Sequence, residues 1–290
     1  MPIWAQAEFL SDQQNSEGGN LSKEDARLAA RLAGLLETFC GISTTQQQFS
    51  TLLHRAAALV PEGQKLETYA LLLTADANAR QHFIERMCTH ETRFFRHPDQ
   101  FAAVEEGFVR ARLDQPGRTI RAWSVACSSG EEPFSLGMML LDSFPASLGW
   151  HVEVLATDVS SQVLERARRA TWPMNRAANI SPERLERYML RGAGEQTGYV
   201  RAAPVLRKAV SFQRLNLIAP PYQVPGEFDL VFLRNVLIYF SPATRRLVVE
   251  NIVRQMKKGA WLVTGPSEGV RHLGQGRLRA VQPHIFVCEG

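Results

Sequence analysis

TIRAWSVACSSGEEPFSLGMMLL, residues 119–141, is read first because it changes the rhythm of the chain. A short apolar run, TIRAWSVA, gives way to small residues from Cys127 to Gly130. A helical pattern follows, with Glu131, Glu132 and Pro133 in its first turn. Small residues let a backbone approach a ligand, and proline suits an early helical position. Acidic residues there also complement the helix dipole. The same strand-then-helix rhythm recurs through HVEVLATD, AVSFQRLN, FDLVFLRN and AWLVTG, which predicts a doubly wound, parallel α/β sheet. In such a sheet, ligands bind beyond the carboxyl ends of the strands.

Upstream the pattern is helical. ARLAARLAGLLETF, QQQFSTLLHRAAALV and LETYALLLTADANARQHFIERMC carry apolar residues at three- and four-residue steps. The expected organisation is a polar leader over 1–20, an all-helical domain over 21–105, a linker over 106–117 broken at Pro116 and Gly117, and the α/β domain over 118–290. Within the last, ISPERLERYMLRGAGEQTGYVRAAPVLRKAV interrupts the alternation. A helix start at Ser181 or Pro182 and the glycines of RGAGEQTG predict a small antiparallel β insertion at about 180–208. Arg191, Gly192, Gly194 and Gly198 suit either a plain hairpin or an edge that accepts a strand.

The chain has 290 residues, 45% of them hydrophobic, enough for one large core plus a smaller helical domain. Thirty-three Lys+Arg against 29 Asp+Glu leave a formal charge of +4, too weak and dispersed to point to nucleic acid. Cys40, Cys88, Cys127 and Cys288 lie far apart without CxxC spacing, which argues against structural zinc and disulfides and fits a reducing compartment. No apolar run of about 18 residues is present, so no membrane insertion is expected and the expected location is the cytoplasm.

HETRFFRHP, residues 90–98, raises a metal question. HExxH zinc spacing would need histidine at 94, which is Phe94, and His90 and His97 lack a third ligand nearby, so no metal is expected. Phe94 and Phe95 read as core and Arg93 as a solvated or interdomain salt-bridge residue. The stretch as a whole reads as an interdomain wall of a cofactor pocket. Asp158, ending HVEVLATD, stands where nucleoside-binding folds place an acid on the ribose; Asp158 or Ser160 also suits the cap of the next helix. There is no G-x-G-x-x-G and no Walker sequence, so a nucleoside without phosphates, such as S-adenosylmethionine, fits better than a dinucleotide.

THETRFFRHPDQF, SVACSSGEEPFSL, LATDVSSQVLERA and FDLVFLRNVLIYFS, in this order, resemble the CheR family of chemotaxis receptor methyltransferases. The likeness runs from about Gly41 to the C-terminus. It implies a Rossmann-like methyltransferase sheet with an N-terminal helical domain and a small antiparallel β insertion. It also implies the cofactor S-adenosylmethionine and the product S-adenosylhomocysteine. The implied partners are the cytoplasmic helices of chemoreceptors, whose glutamates become methyl esters, together with a receptor C-terminal peptide held by the insertion; a monomer is implied. Thr92, Arg96, Glu132, Asp158, Asn216, Leu217, Arg234 and Asn235 match cofactor contacts of the family, and Tyr239 matches a tyrosine at the reaction centre. His90 stands where better-known members carry Asn and is included with the cofactor contacts. The helix around 45–58 offers only His54 and Arg55 where the family's docking helix is richer in arginine.

The implied chemistry needs no general base, because a glutamate carboxylate (pKa about 4.3) is already ionised at neutral pH. What it needs is alignment and exclusion of water. Attack neutralises an anion and a cation together, so strong uniform binding of either charge would not help. Arg96 is then an orienting cation and Tyr239 a phenol donor. A methyltransferase of this fold with another substrate, and a noncatalytic cofactor-binding signalling module, are the alternatives.

Overall fold

A computed structural model describes residues 21–113, 117–270, 272–274 and 276–290. The expected leader over 1–20 and the break at Pro116 lie outside them. The chain divides into two compact units. One comprises residues up to Thr89 together with Tyr239–Ser241; the other comprises His90–Ile238 and Pro242–Gly290.

The first unit is helical, as its periodicity predicts. Helix Lys23–Cys40 starts at Ser22, whose Oγ accepts the Asp25 N–H at 3.0 Å, and ends at Gly41, which takes φ +80°. Ala29, Leu32, Leu36 and Cys40 form its buried stripe at three- and four-residue steps. Helix Phe49–Ala57 follows a single turn at Gln46–Gln48. The stretch from Leu66 reads as one amphipathic pattern but forms two helices, Leu66–Ala75 and Ala77–Met87. Asp76 causes the break. It is extended, and its carboxylate accepts the N–H groups of Asn78 and Ala79 at 2.7 and 2.8 Å, which starts a new helix. Tyr239–Ser241 joins this unit through the Ser43 N–H, donated to the Tyr239 carbonyl at 2.8 Å, and an antiparallel bridge between Ile42 and Phe240.

The second unit is built on a seven-stranded sheet. Its strands are β1 (Thr119–Val125), β2 (His151–Asp158), β6 (Val210–Arg214), β7 (Phe228–Leu233), β8 (Met256–Thr264), β9 (Leu278–Gln282) and β10 (Ile285–Cys288), in the spatial order β6-β2-β1-β7-β8-β10-β9. The first five are parallel, and each matches an apolar run of the sequence. β10 is antiparallel to both β8 and β9, so the sheet is mixed rather than wholly parallel. The strand order reverses between β1 and β7, and a crevice at the carboxyl ends of those two strands is where this topology places ligands.

A second, three-stranded antiparallel sheet, β3 (Thr171–Pro173), β5 (Tyr199–Ala202) and β4 (Met189–Arg191), is the insertion. It begins at Thr171, earlier than the expected 180, because β3 pairs with β5 across the intervening helix Pro182–Tyr188. β4 and β5 form the hairpin that the glycines predict. A β-carbon on Gly192 would run into the Gln196 backbone, which accounts for glycine there.

The boundary between the units falls at Thr89/His90, not near 105. Residues expected as the end of the helical domain and as a linker instead form helix Pro98–Ala103, a π-helical stretch Val104–Val109 and a last turn Arg110–Leu113. Phe101, Val104, Phe108 and Val109 are buried in the same core as Ile120, Phe232 and Val263. Helical rhythm alone does not reveal which core an apolar face enters. Gly107 sits in the π-helical stretch against the Trp261 ring, which also packs edge-on to Phe108. Gly107→Ala is expected to overpack this contact and cost about 1–3 kcal/mol, read in a thermal melt as about 2–4 °C per kcal/mol.

Candidate functional site

Asp158 ends β2 and is 7% exposed. Its Oδ2 accepts the Ser128 N–H at 2.9 Å and its Oδ1 the Ser160 N–H at 3.0 Å. Ser160, not Asp158, caps the following helix, its Oγ accepting from Val163 at 3.3 Å. The Asp158 carbonyl accepts the Leu215 N–H at 2.9 Å, so the chain after β6 is drawn to the same point. A carboxylate has about four acceptor positions, and the bonds from Ser128, Ser160 and the Val159 backbone orient this one without exhausting it.

The turn after β1 is held in an unusual shape. Ala126 and Ser128 have φ of +57° and +50°, and Gly130 has +97°. Cys127 N–H bonds the Thr157 carbonyl at 2.8 Å, and Ser128 Oγ donates to the His90 carbonyl at 3.2 Å. His90 therefore borders this turn, and its charge favours the ionised form of Asp158.

The two glutamates of the helix Glu131–Ser143 separate completely. Glu131, 0% exposed, pairs with Arg176 at 2.5 Å. Glu132 accepts from Ser124 Oγ at 2.7 Å and lies 3.2 Å from Arg234 Nε. Arg234, 4% exposed, donates through Nη2 to the Arg96 carbonyl at 2.5 Å and lies over the rings of Phe101 and Phe232. Its Nη1 is buried without a hydrogen-bond partner among the described residues, and the contact of its Nε with Glu132 is an ion pair whose angle misses hydrogen-bond alignment. The half-buried Arg96 donates to the Glu91 carbonyl at 3.1 Å and adds its charge to the field at Glu132.

Burial raises the pKa of both Asp158 and Glu132, with the hydrogen bonds they accept and the neighbouring cations opposing it. The folded state thus holds these protons more tightly than the unfolded chain does. Their contribution to stability accordingly declines as pH rises from the ordinary carboxylate range through the raised values.

Of the remaining expected residues, Asn216 and Leu217 follow β6 and Asn235 follows β7, whereas Thr92 lies on the segment before helix Pro98–Ala103. Thr92 is buried and its carbonyl accepts from Arg176 at 2.9 Å. Phe94 and Phe95 are core residues, as expected, and Arg93 is exposed. Asn216 Oδ1 accepts from Ile218 at 3.3 Å, and the carbonyl of the buried Leu217 accepts the Tyr222 hydroxyl at 2.7 Å. Asn235, two residues past the end of β7, has φ +58°. Tyr239 groups with the helical unit rather than with the sheet. Among the described residues, no cluster of three or more His, Cys, Asp or Glu could hold a metal ion.

Sequence reasoning missed Glu268. It is 4% exposed, and its two oxygens accept three backbone N–H groups: Oε2 from Asn235 and Gly265, both at 2.7 Å, and Oε1 from Leu237 at 2.6 Å. It thereby joins the turns that follow β7 and β8. Its only sequence signal is a lone acid in the small-residue run GPSEG after an apolar strand. The donor set as a whole fits S-adenosylmethionine: a buried acid for hydroxyls, cations for a carboxylate, and a buried unpartnered arginine N–H. Glu268→Gln leaves one carbonyl oxygen for three donors. It is expected to lower stability by about 1.5–3 kcal/mol and to speed hydrogen exchange at the Leu237 amide.

The model of the family described as CheR methyltransferase, SAM binding domain, matches residues 90–284. The chemotaxis protein methyltransferase of Escherichia coli (strain K12) is 38% identical over 194 residues, 67% of this chain and 65% of that protein. The match thus spans slightly less than two thirds of that relative. The corresponding Salmonella typhimurium protein is 36% identical over 208 residues, 71% of this chain and 70% of its own length. Chemotaxis protein methyltransferase 1 of Pseudomonas aeruginosa is 33% identical over 251 residues, 82% and 88% of the two chains. Every cofactor-contact position expected from the resemblance, His90 to Asn235, lies inside the matched region, and the chain belongs to the CheR methyltransferase family.

Proposed function

We propose that the protein is an S-adenosylmethionine-dependent protein-glutamate O-methyltransferase acting on the cytoplasmic helices of chemoreceptors. The observation that carries this reading is the constellation of Asp158, Glu132, Arg234 and Arg96 at the carboxyl ends of β1, β2 and β7, inside the region that matches the family's cofactor-binding domain. Chemotaxis as the setting comes from the relatives, which are chemotaxis protein methyltransferases.

S-adenosylmethionine supplies a sulfonium methyl group, which passes to a glutamate carboxylate oxygen to leave a methyl ester and S-adenosylhomocysteine. The residues of the chain bind and orient. Asp158 accepts from ribose hydroxyls, with His90 beside it and with Asn216 and Leu217 at the neighbouring strand end. Thr92 and Arg96 take the amino-acid end of the cofactor, the guanidinium meeting its carboxylate. Glu132, Arg234 and Asn235 complete the floor. Tyr239 offers a phenol donor to the reacting carboxylate. No side chain is required as a base, because the attacking carboxylate is ionised already. A receptor C-terminal peptide held at the insertion would raise the effective concentration of the substrate.

Isothermal titration tests the cofactor half of this reading. The wild-type protein is expected to bind S-adenosylmethionine and S-adenosylhomocysteine, and Asp158→Ala to bind at least about tenfold more weakly while still unfolding cooperatively. Arg96→Ala removes a charged hydrogen bond worth about 1.5–3 kcal/mol, so methyl transfer to receptor fragments, read as base-released methanol, should fall by about one to two orders of magnitude. Absence of binding by the wild-type protein would remove the enzyme reading. Binding without base-labile esters on any receptor fragment would favour the noncatalytic module.

A further inference from the structure

The segment entering the insertion makes a set of contacts that the proposed reaction does not use. Between Thr171 and Asn179, three side chains donate to backbone carbonyls of the loops around the site. Trp172 Nε1 reaches the Ser129 carbonyl at 3.3 Å, Arg176 Nη2 the Thr92 carbonyl at 2.9 Å, and Asn179 Nδ2 the Phe94 carbonyl at 3.3 Å. Arg176 also grips Glu131 Oε1 through Nη2 at 2.5 Å and through Nε at 3.2 Å. One guanidinium thus spans the first turn of the helix Glu131–Ser143 and the segment that carries Thr92 and Arg96.

That segment needs an outside hold. Phe95 and His97 have φ of +48° and +59°, in the left-handed region that bulky side chains avoid. Such conformations persist where surroundings over-determine them. Here the carbonyls of Thr92 and Phe94 are bonded from the insertion side, and the Phe95 N–H donates to Ser135 Oγ at 2.9 Å. The arginine that supplies the strongest of these bonds is itself fixed by a fully buried carboxylate, through a forked contact that a lysine cannot reproduce.

We propose that Arg176 is a positioning residue of the cofactor site: anchored on Glu131, it holds the backbone of Thr92–Arg96 in its binding conformation from the insertion side. The inference rests on the proposed function for the identity of the ligand. It adds a residue that touches neither cofactor nor substrate, and it makes cofactor affinity depend on the segment leading into the second sheet.

S-adenosylhomocysteine affinity by isothermal titration and the thermal midpoint are to be measured for wild type, Arg176→Met, Arg176→Lys and the double variant Glu131→Gln/Arg176→Met. Arg176→Met leaves a buried unpaired carboxylate and should lower the midpoint, whereas the double variant removes that charge and should recover it. Affinity should stay at least tenfold weaker in both. Arg176→Lys keeps a charge beside Glu131 and should keep most of the midpoint while losing affinity. Stability would then follow charge pairing and affinity would follow the guanidinium, a split that a purely structural ion pair does not produce. Affinities within twofold of wild type in Arg176→Lys and the double variant would overturn the proposal. Failure of the wild-type protein to bind would overturn the proposed function, and with it the site that Arg176 positions.

Discussion

The bonds from Asp158 to the backbone of Ser128 and Ser160 fix the side of the site to which the other loops are referred. They tie the end of β2 to the turn after β1, which contains non-glycine residues at positive φ. Such a turn is costly by itself and is stable only when its N–H groups have partners. The carboxylate supplies one, and the carbonyl at the same residue takes Leu215. Three crossings of the sheet therefore meet at one aspartate. Burial works against its charge, and the hydrogen bonds to it restore part of what burial removes.

The other side of the site repeats the device with different partners. Glu268 gathers the N–H groups of the turns after β7 and β8, while Arg234, between Glu132 and the Arg96 carbonyl, joins β7 to the chain entering the unit. The ion pair is not evidence of great stability, since burying two charges costs about as much as their attraction returns. Its effect is geometric. With Arg234 also lying over Phe101 and Phe232, the Arg96 backbone is held against the chain that follows β7.

Much of this was legible in the sequence. The strands β1, β2, β6, β7 and β8 are apolar runs bounded by polar turns, and the rule that ligands bind past the carboxyl ends of parallel strands directs attention to Asp158 and to the turn holding Glu131 and Glu132, whereas only the family resemblance separates Glu132 from Glu131. β9 and β10 were not foreseen, because LRAVQ and IFVC are short runs, and their own spacing does not show that Leu278, Ile285, Phe286 and Cys288 are buried in the sheet. The unit boundary was misplaced for a related reason. Phe101, Val104 and Phe108 keep helical spacing whichever core they enter, and only the tertiary fold shows that they pack with Ile120 and Phe232. Glu268 and Arg176 escaped because, apart from the neighbouring Gly265, the groups that their side chains bond are 31 and more residues away. Neither belongs to a local pattern.

Glu131 and Glu132 show where local reasoning stops and why. The helix dipole favours an acid at either position and cannot tell them apart. A rotation of about 100° per residue (3.6 residues per turn) points neighbouring side chains in different directions. Glu131 turns toward the insertion and meets Arg176; Glu132 turns toward β1 and β7 and meets Ser124 and Arg234. Two identical residues in sequence thus join different parts of the fold, one to the second sheet and one to the floor of the site. Removing Glu132 leaves the buried Arg234 and Ser124 without it, and removing Glu131 releases the more exposed Arg176, so the pair is not redundant, and the GEEP turn links the insertion to the proposed cofactor contacts through a single helix start.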